Sequence, residues 1–374
     1  MSAGACAILH QPRQLDALMK IAVVGTVGVP ARYGGFETLA EQLARHVDHE
    51  RYGLTIYCER TAYPEVTGHP GFAGHDRKFL PLRANGASSM VHDALAMAHA
   101  QFRVKADALL VLGYSGAWFL PLVRLARPRA RIITNIDGME WRRDKFSRPV
   151  RWLLRMLEWF AVRFSHEVIA DNRALVDLAK QIHGVDARLI AYGGDHSLVN
   201  PVKFTDLMAG YALAVARIEP ENNCHLILQA CVLANHPMIF VGNWSSSEYG
   251  KELKLRFSGH EQLHLWDPIY DVGKLAFLRA NAGVYLHGHS VGGTNPSLVE
   301  AVFHHERILA FDCVFNRATL SEAGGYFDNA EQLAEKLADG RSGLIESGRI
   351  DALRQEYVWR NIASAYVAIL DPHA

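Results

Sequence analysis

The sequence predicts an α/β protein built as two halves, and three observations predict it. Short apolar runs bounded by glycine alternate with stretches of helical spacing along the chain, the pattern of parallel strands covered on both faces by helices. The pattern halts at a polar, proline-containing stretch, His196 to Asp206, and then restarts. The length of 374 residues exceeds what one hydrophobic core usually spans.

The first half opens with the strand Ile21-Ala-Val-Val24, closed by Gly25. A glycine- and proline-rich loop, 25–35, leads into Phe36 to Val47, where Phe36, Leu39, Ala40 and Leu43 share a helical face. Leu54 to Cys58, Ala108 to Leu112, Arg131 to Thr134, Val168 to Ala170 and Arg188 to Ala191 read as further strands. The uncharged stretch Ala108 to Val123 contains Gly113, Ser115, Gly116 and Pro121, so it reads as strand, turn and helix start rather than as a membrane span.

In the second half the expected strands are Tyr211 to Val215, Pro237 to Val241, Gln262 to Trp266, Ala282 to Leu286 and Arg307 to Phe311. Helices are expected at Cys224 to Leu233, Val272 to Arg279 and Pro296 to Phe303. The expected division is an arm at 1–18, a first domain at 19–200, a second at 201–355, and a C-terminal helix at 356–374 packing back on the first domain. The arm lacks the charged start and unbroken apolar run of a signal peptide.

Lys plus Arg and Asp plus Glu both total 39, which excludes a global basic field for nucleic acid and makes any anion site local. Hydrophobic residues at 49% and charged residues at 21% fit an ordinary globular enzyme. The cysteines, Cys6, Cys58, Cys224, Cys231 and Cys313, form no C-x-x-C pair, so neither a zinc site nor a disulfide framework is expected, and a cytoplasmic home is.

Four segments carry residues suited to chemistry. The loop from Gly25 to Glu37 lies between a strand and a helix, where backbone N–H groups can approach a phosphate or glycines can simply make a tight turn. Its G-x-x-G spacing does not match the dinucleotide fingerprint, although Glu59 at the end of the next strand is placed to touch a ribose. The segment His287 to Glu300 repeats the arrangement: Gly293, Thr294 and Asn295 offer donors to a diphosphate, Pro296 suits a first helical turn, and Glu300 suits a ribose diol or a solvated helix face. Arg217, at the carboxyl end of a strand, suits a phosphate clamp or a surface ion pair. The fourth segment, Asn135 to Lys145, carries Asp137 just after a strand. From Arg142 to Arg163 there are seven basic residues against two acidic, interleaved with Trp152, Trp159 and Phe160. Such a helix fits an anionic lipid surface, or a packed helix with a solvated basic face.

Together these segments resemble the retaining glycosyltransferases of the large family 4, of GT-B fold, in which two Rossmann-like domains face each other across a cleft. The likeness is to the subgroup that begins with a Pro30-Ala-Arg-Tyr-Gly-Gly-Phe-Glu37 motif and includes bacterial rhamnosyltransferases of surface polysaccharide assembly. Asp137-Gly-Met-Glu-Trp-Arg142 and His287 to Glu300 are its other specific pieces, and it runs from about Lys20 to the C-terminus.

The resemblance implies transfer of a sugar, such as L-rhamnose from dTDP-rhamnose, from a nucleotide diphosphate donor to a glycan or lipid-linked acceptor, with no metal or other cofactor. Asp137, Arg217 and His289 would be catalytic. Gly34, Gly35, Arg217, Asn222, Gly293, Thr294, Asn295 and Glu300 would bind the donor, and Tyr33, Glu140, Trp141 and Arg142 would lie on the acceptor side. The chain departs from the broader family at two positions: Gly292 replaces the first glutamate of the Glu-x7-Glu motif, and Asn222 replaces a lysine. His287 or His289 is then expected to take over their contacts. A non-catalytic scaffold subunit and a nucleotide-sugar epimerase are the alternatives. Peripheral contact with an anionic membrane is expected through 142–163.

Overall fold

The computed structural model describes residues 18–372, except 33, 67, 137 and 143–145. Each half forms one parallel sheet. The first contains β1 (Met19–Val24), β2 (Tyr52–Glu59), β3 (Gly71–Phe72), β4 (His75–Leu80), β5 (Ala108–Leu112), β6 (Arg131–Ile136), β7 (Glu167–Ala170) and β8 (Arg188–Leu189). Their spatial order is β3-β4-β2-β1-β5-β6-β7-β8, and only the β3–β4 pairing is antiparallel. The second contains β9 (Ala212–Val215), β10 (Met238–Val241), β11 (Leu263–Trp266), β12 (Val284–His287), β13 (Ile308–Phe311) and β14 (Gly325–Phe327). Its order is β11-β10-β9-β12-β13-β14.

The central strands are largely apolar because both faces of each sheet are covered. In β1, Ile21 and Val23 enter one core layer with Leu110 and Ile133, whereas Ala22 and Val24 enter the opposite layer with Leu109 and Val111. The helix Gly35–His46 covers the first layer through Leu39, Ala40 and Leu43. The helix Arg148–Phe164 covers the second through Leu157 and Ala161.

Two features of the first sheet are absent from the apolar pattern. Strand β4 reads as polar because His75 and Arg77 are its inward residues. Arg77 is buried and spends its guanidinium on carbonyl oxygens, including Val29 at 3.1 Å and Gly71 at 3.0 Å, which fastens the loop after β1. Strand β8 is two residues long, shorter than the run Arg188 to Ala191 suggests.

The chain crosses between the sheets twice. After the helix Ser347–Glu356, whose Ile350 and Leu353 pack in the second sheet's core, the chain returns as the helix Trp359–Leu370. Trp359, Ile362, Tyr366, Ile369 and Leu370 of that helix complete a core layer of the first sheet. Among the described residues no helix is long and apolar enough to cross a membrane.

Candidate functional site

Both sheets reverse their strand order, between β1 and β5 in the first and between β9 and β12 in the second. In open α/β sheets a crevice forms beyond the carboxyl ends of strands at such a reversal. Every site segment expected from the sequence follows the carboxyl end of a strand, three of them at a reversal and one at the neighbouring β6. The glycine loop follows β1, residues 135–142 run from the end of β6, Arg217 follows β9, and His289 follows β12. A cavity of about 580 Å³ lies between the two reversals. Gly35, Phe36, Asn135, Glu140, Asp171 and Tyr366 line it on one side, and Arg217, His289, Val291, Gly292, Gly293, Thr294, Asn295 and Pro296 on the other.

On the second-sheet side, the Arg217 guanidinium is half exposed and pairs only loosely with Glu219, at 4.0 Å. It is placed to meet an anion in the cavity. Asn222 is not. It is buried, and its amide donates to Arg217 O at 2.8 Å, so it braces the loop that presents Arg217 instead of facing a donor. His289 reaches the cavity wall and stacks on His287, with ring centroids 4.4 Å apart. Burial, then His289, hold His287 well below the ordinary histidine pKa, so His287 is a neutral, packed support for the cavity residue.

The loop that opens the helix Pro296–His304 is partly committed. Asn295 caps the helix, its Oδ1 accepting from Ser297 N at 3.1 Å, with Pro296 in the first turn. Thr294 donates its backbone N–H to Asp171 Oδ1 at 3.1 Å and its hydroxyl to Asp171 O. The N–H of Thr294, expected to serve a diphosphate, is therefore already engaged, whereas Asn295 commits only its Oδ1 to the cap. Gly292 has φ +110° and open space where a side chain would stand, so the carboxylate usual there in the resembled family is replaced by room in the cavity.

Glu300 is not among the cavity-lining residues. One carboxylate oxygen pairs with the Arg279 guanidinium and the other with His196 Nε2 at 3.3 Å. His196 Nδ1 accepts from Trp359 Nε1 at 2.9 Å, so Nε2 carries the proton and donates to Glu300. Burial pushes the Glu300 pKa up, but Arg279 and His196 outweigh it and take it down to about 2. Placed by spacing on a ribose, Glu300 is held instead at the point where the chain crosses between the sheets.

On the first-sheet side, the glycine loop folds over two carboxylates. Glu37 Oε1 accepts from Val27 N at 2.7 Å, and Glu41 Oε2 accepts from Ala31 N at 2.6 Å. Gly35 faces the cavity, and a β-carbon there would stand 3.4 Å from Pro296 Cγ, so the two walls nearly touch. Gly34, also expected at the donor, has φ +122° and is not a lining residue; a β-carbon there would collide with the Glu37 carboxylate. Glu59 is not free for a ribose, because Oε2 accepts from Ala84 N at 2.9 Å and Oε1 from Thr61.

Glu140 lines the main cavity, and with Arg142 it lines a smaller adjoining one of about 180 Å³. Trp141 lines neither: its indole donates to the buried Glu158 at 3.0 Å, and Arg142 and Arg155 lie over its ring. Trp141 therefore anchors the turn that carries Glu140. Tyr33 and Asp137 lie outside the described residues. Asn135, Asp171, Tyr192 and Tyr366 are lining residues that the sequence reading did not select. Asn135 opens the segment 135–145, but nothing in the spacing brings the distant Tyr366 to it. Among the described residues no group of three or more His, Cys, Asp or Glu could hold a metal ion.

Residues 18–195 match a family described as Domain of unknown function (DUF1972). No curated protein matches the chain in sequence. Solved structures resemble it over nearly its whole length. A sucrose-phosphate synthase from Thermosynechococcus elongatus has a TM-score of 0.75 at 14% identity, covering 93% of this chain and 97% of that one. Anabaena HepE, in complex with UDP and glucose, has a TM-score of 0.68 at 16% identity, covering 94% and 99%. The catalytic domain of starch synthase IV from Arabidopsis thaliana, bound to ADP and acarbose, has a TM-score of 0.68 at 12% identity, covering 94% and 98%. The fold is that of the GT-B glycosyltransferases.

Proposed function

We propose that the chain is a nucleotide-sugar-dependent glycosyltransferase whose donor lies in the cavity between the sheets. The observation that carries this reading is the single cavity lined both by Arg217 with the 291–296 loop and by the first-sheet wall at Gly35 and Asn135. Its volume suits a nucleotide diphosphate sugar. Glycosyl transfer builds negative charge on the departing diphosphate, and a positioned guanidinium and helix N-terminus favour that charge. Arg217 fills the first role, without recourse to a metal; the start of the helix Pro296–His304 is proposed for the second, where Asp171 now accepts from the Thr294 N–H. His289 lies at the same wall, where its imidazole can hydrogen-bond a phosphate or sugar hydroxyl.

The finer reading is a retaining transfer by front-face attack, in which the leaving phosphate accepts the acceptor's proton and Asp137 orients the acceptor hydroxyl. L-rhamnose from dTDP-rhamnose, in bacterial surface polysaccharide synthesis, is the proposed donor. The acceptor would be a glycan or lipid-linked sugar entering past Glu140 and Arg142, beside the smaller cavity. Contact with an anionic leaflet is proposed through the helix Arg148–Phe164, whose Trp152 and Trp159 side chains are exposed beside Arg148 and Arg155.

A second reading, a donor-binding scaffold without turnover, is favoured by the absent carboxylate at Gly292. A thermal-shift screen across UDP-, GDP-, dTDP- and ADP-sugars, followed by turnover assays on a panel of glycan and lipid-linked acceptors, separates the two. The proposal expects stabilisation by one donor class and sugar transfer that falls at least tenfold in Arg217→Ala. Binding without turnover on any acceptor would favour the scaffold, and no nucleotide binding at all would overturn both.

A further inference from the structure

Asn135 stands at the end of a central strand between Thr134 and Ile136, and it is 3% exposed. Its Nδ2 donates to the Tyr366 hydroxyl at 2.6 Å. Its Oδ1 is buried and has no hydrogen-bond partner in the protein. Both residues nevertheless line the cavity. A buried amide with one unsatisfied end is rare in a folded core and costs stability, so its retention calls for a partner that arrives from outside.

We infer that Asn135 and Tyr366 form a subsite for a hydroxyl of the sugar carried by the nucleotide donor. The inference rests on the reading of the cavity as a nucleotide-sugar site. Three observations support it. Asn135, one of whose amide ends is unsatisfied, is a lining residue of the same cavity as Arg217 and the 291–296 loop, where the group attached to a diphosphate would project. Turning the amide over would place Nδ2 where Oδ1 stands and let Tyr366 donate instead of accept, so the free end can be either acceptor or donor. A hydroxyl, which both donates and accepts, satisfies either orientation; a carboxylate or an ammonium does not. Finally, the Tyr366 side chain is fixed in the core layer built by the returning helix, which gives the amide a rigid support. Tyr366 thus acts as a positioning residue, because its hydroxyl engages one end of the Asn135 amide in either orientation and leaves the other end free.

Calorimetric titration tests this with UDP, GDP, dTDP and ADP, each alone and as its hexose conjugate, against wild type, Asn135→Leu and Tyr366→Phe. The last two differ from wild type in polarity more than in volume, and melting curves check that they fold. Asn135→Leu is expected to weaken the bound conjugate about tenfold or more and leave the parent nucleotide within about twofold. Tyr366→Phe is expected to weaken the conjugate by a smaller factor, in the same direction. Equal losses for nucleotide and conjugate, or no loss for either, would overturn the subsite while leaving the nucleotide site standing. A wild type that binds no nucleotide would overturn the function and the subsite together. If Asn135→Leu fails to fold, Tyr366→Phe decides alone by the same ratio.

Discussion

Thr294 donates its backbone N–H to Asp171 Oδ1 at 3.1 Å, and the two residues belong to opposite walls of the cavity. A carboxylate of the protein thus stands where the helix Pro296–His304 would attract an anion; a β-carbon on Gly293 would fall on the same oxygen. A diphosphate arriving there meets a like charge. Asp171→Asn is expected to tighten nucleoside diphosphate binding about two- to fivefold, the range a single charge contributes at a helix N-terminus. Calorimetry at low salt checks it, and weaker binding would mean the carboxylate holds the binding loop in shape.

Glu300 is the carboxylate paired with a guanidinium, Arg279, that is 5% exposed. Removing one member of such a pair leaves a buried charge uncompensated and typically costs about 3 kcal/mol or more. Glu300→Gln should therefore lower stability by about that amount at pH 7. Because the folded pKa of Glu300, about 2, lies below the ordinary 4.5, its contribution is complete above pH 4.5 and is lost as pH falls toward 2. Urea unfolding of both proteins at pH 7 and pH 3 should show the gap narrowing at the lower pH. An unchanged gap would show that the carboxylate's charge is not what stabilises.

His304 and His305 give a second acid response. Burial, then Arg279, lower His304 to about 4; burial, then His304 and Arg279, lower His305 to about 3. Below pH 6.5 the unfolded chain binds protons that the folded one refuses, so stability falls with pH from about 6.5 down to these values, by about 1.4 kcal/mol per pH unit for each group. The His305 ring stacks on Tyr285 at 5.6 Å, so His305→Phe preserves an aromatic contact while removing a titrating site. The variant should lose less stability than wild type between pH 6.5 and pH 5. Parallel curves would sink this assignment.

The helix Arg148–Phe164 turns Trp152, 68% exposed, and Trp159, 49% exposed, to the surface. Its acidic residue, Glu158, is buried against Trp141 and His183, so it does not offset the surface arginines. Arg148→Glu, Arg151→Glu and Arg155→Glu combined should abolish flotation with anionic vesicles at low salt, while wild type floats and is released by salt. Equal behaviour of the two proteins, whether both float or neither does, would reduce this helix to a packed element with a solvated face.

The two sheets could be read from the sequence because strands covered on both faces are apolar runs, as in β5 and β10. Strand β4 could not, because its inward residues are the polar His75 and Arg77, whose partners are backbone groups brought in by the fold. Arg217, His289 and Gly35 reach the cavity as their positions at strand ends suggest. Glu300 shows the limit of spacing: it fixes a place on a helix, but Arg279 and His196, which claim its oxygens, come from segments that only tertiary structure brings together. The pairing of Asn135 with Tyr366, 231 positions apart, is hidden for the same reason.

The returning helix Trp359–Leu370 sets an order on the making of the molecule. Six of its buried side chains, Ala363 among them, complete a core layer whose other members come from earlier strands, a helix and loops of the first half. During synthesis on a ribosome, the first sheet must wait with part of an apolar layer uncovered until residue 370 has emerged, whereas the second sheet has all its strands by residue 327. The half translated first is finished last. The segment 18–195 is therefore a unit of sequence similarity but not of folding, and grafting it onto another protein would require carrying the distant helix with it.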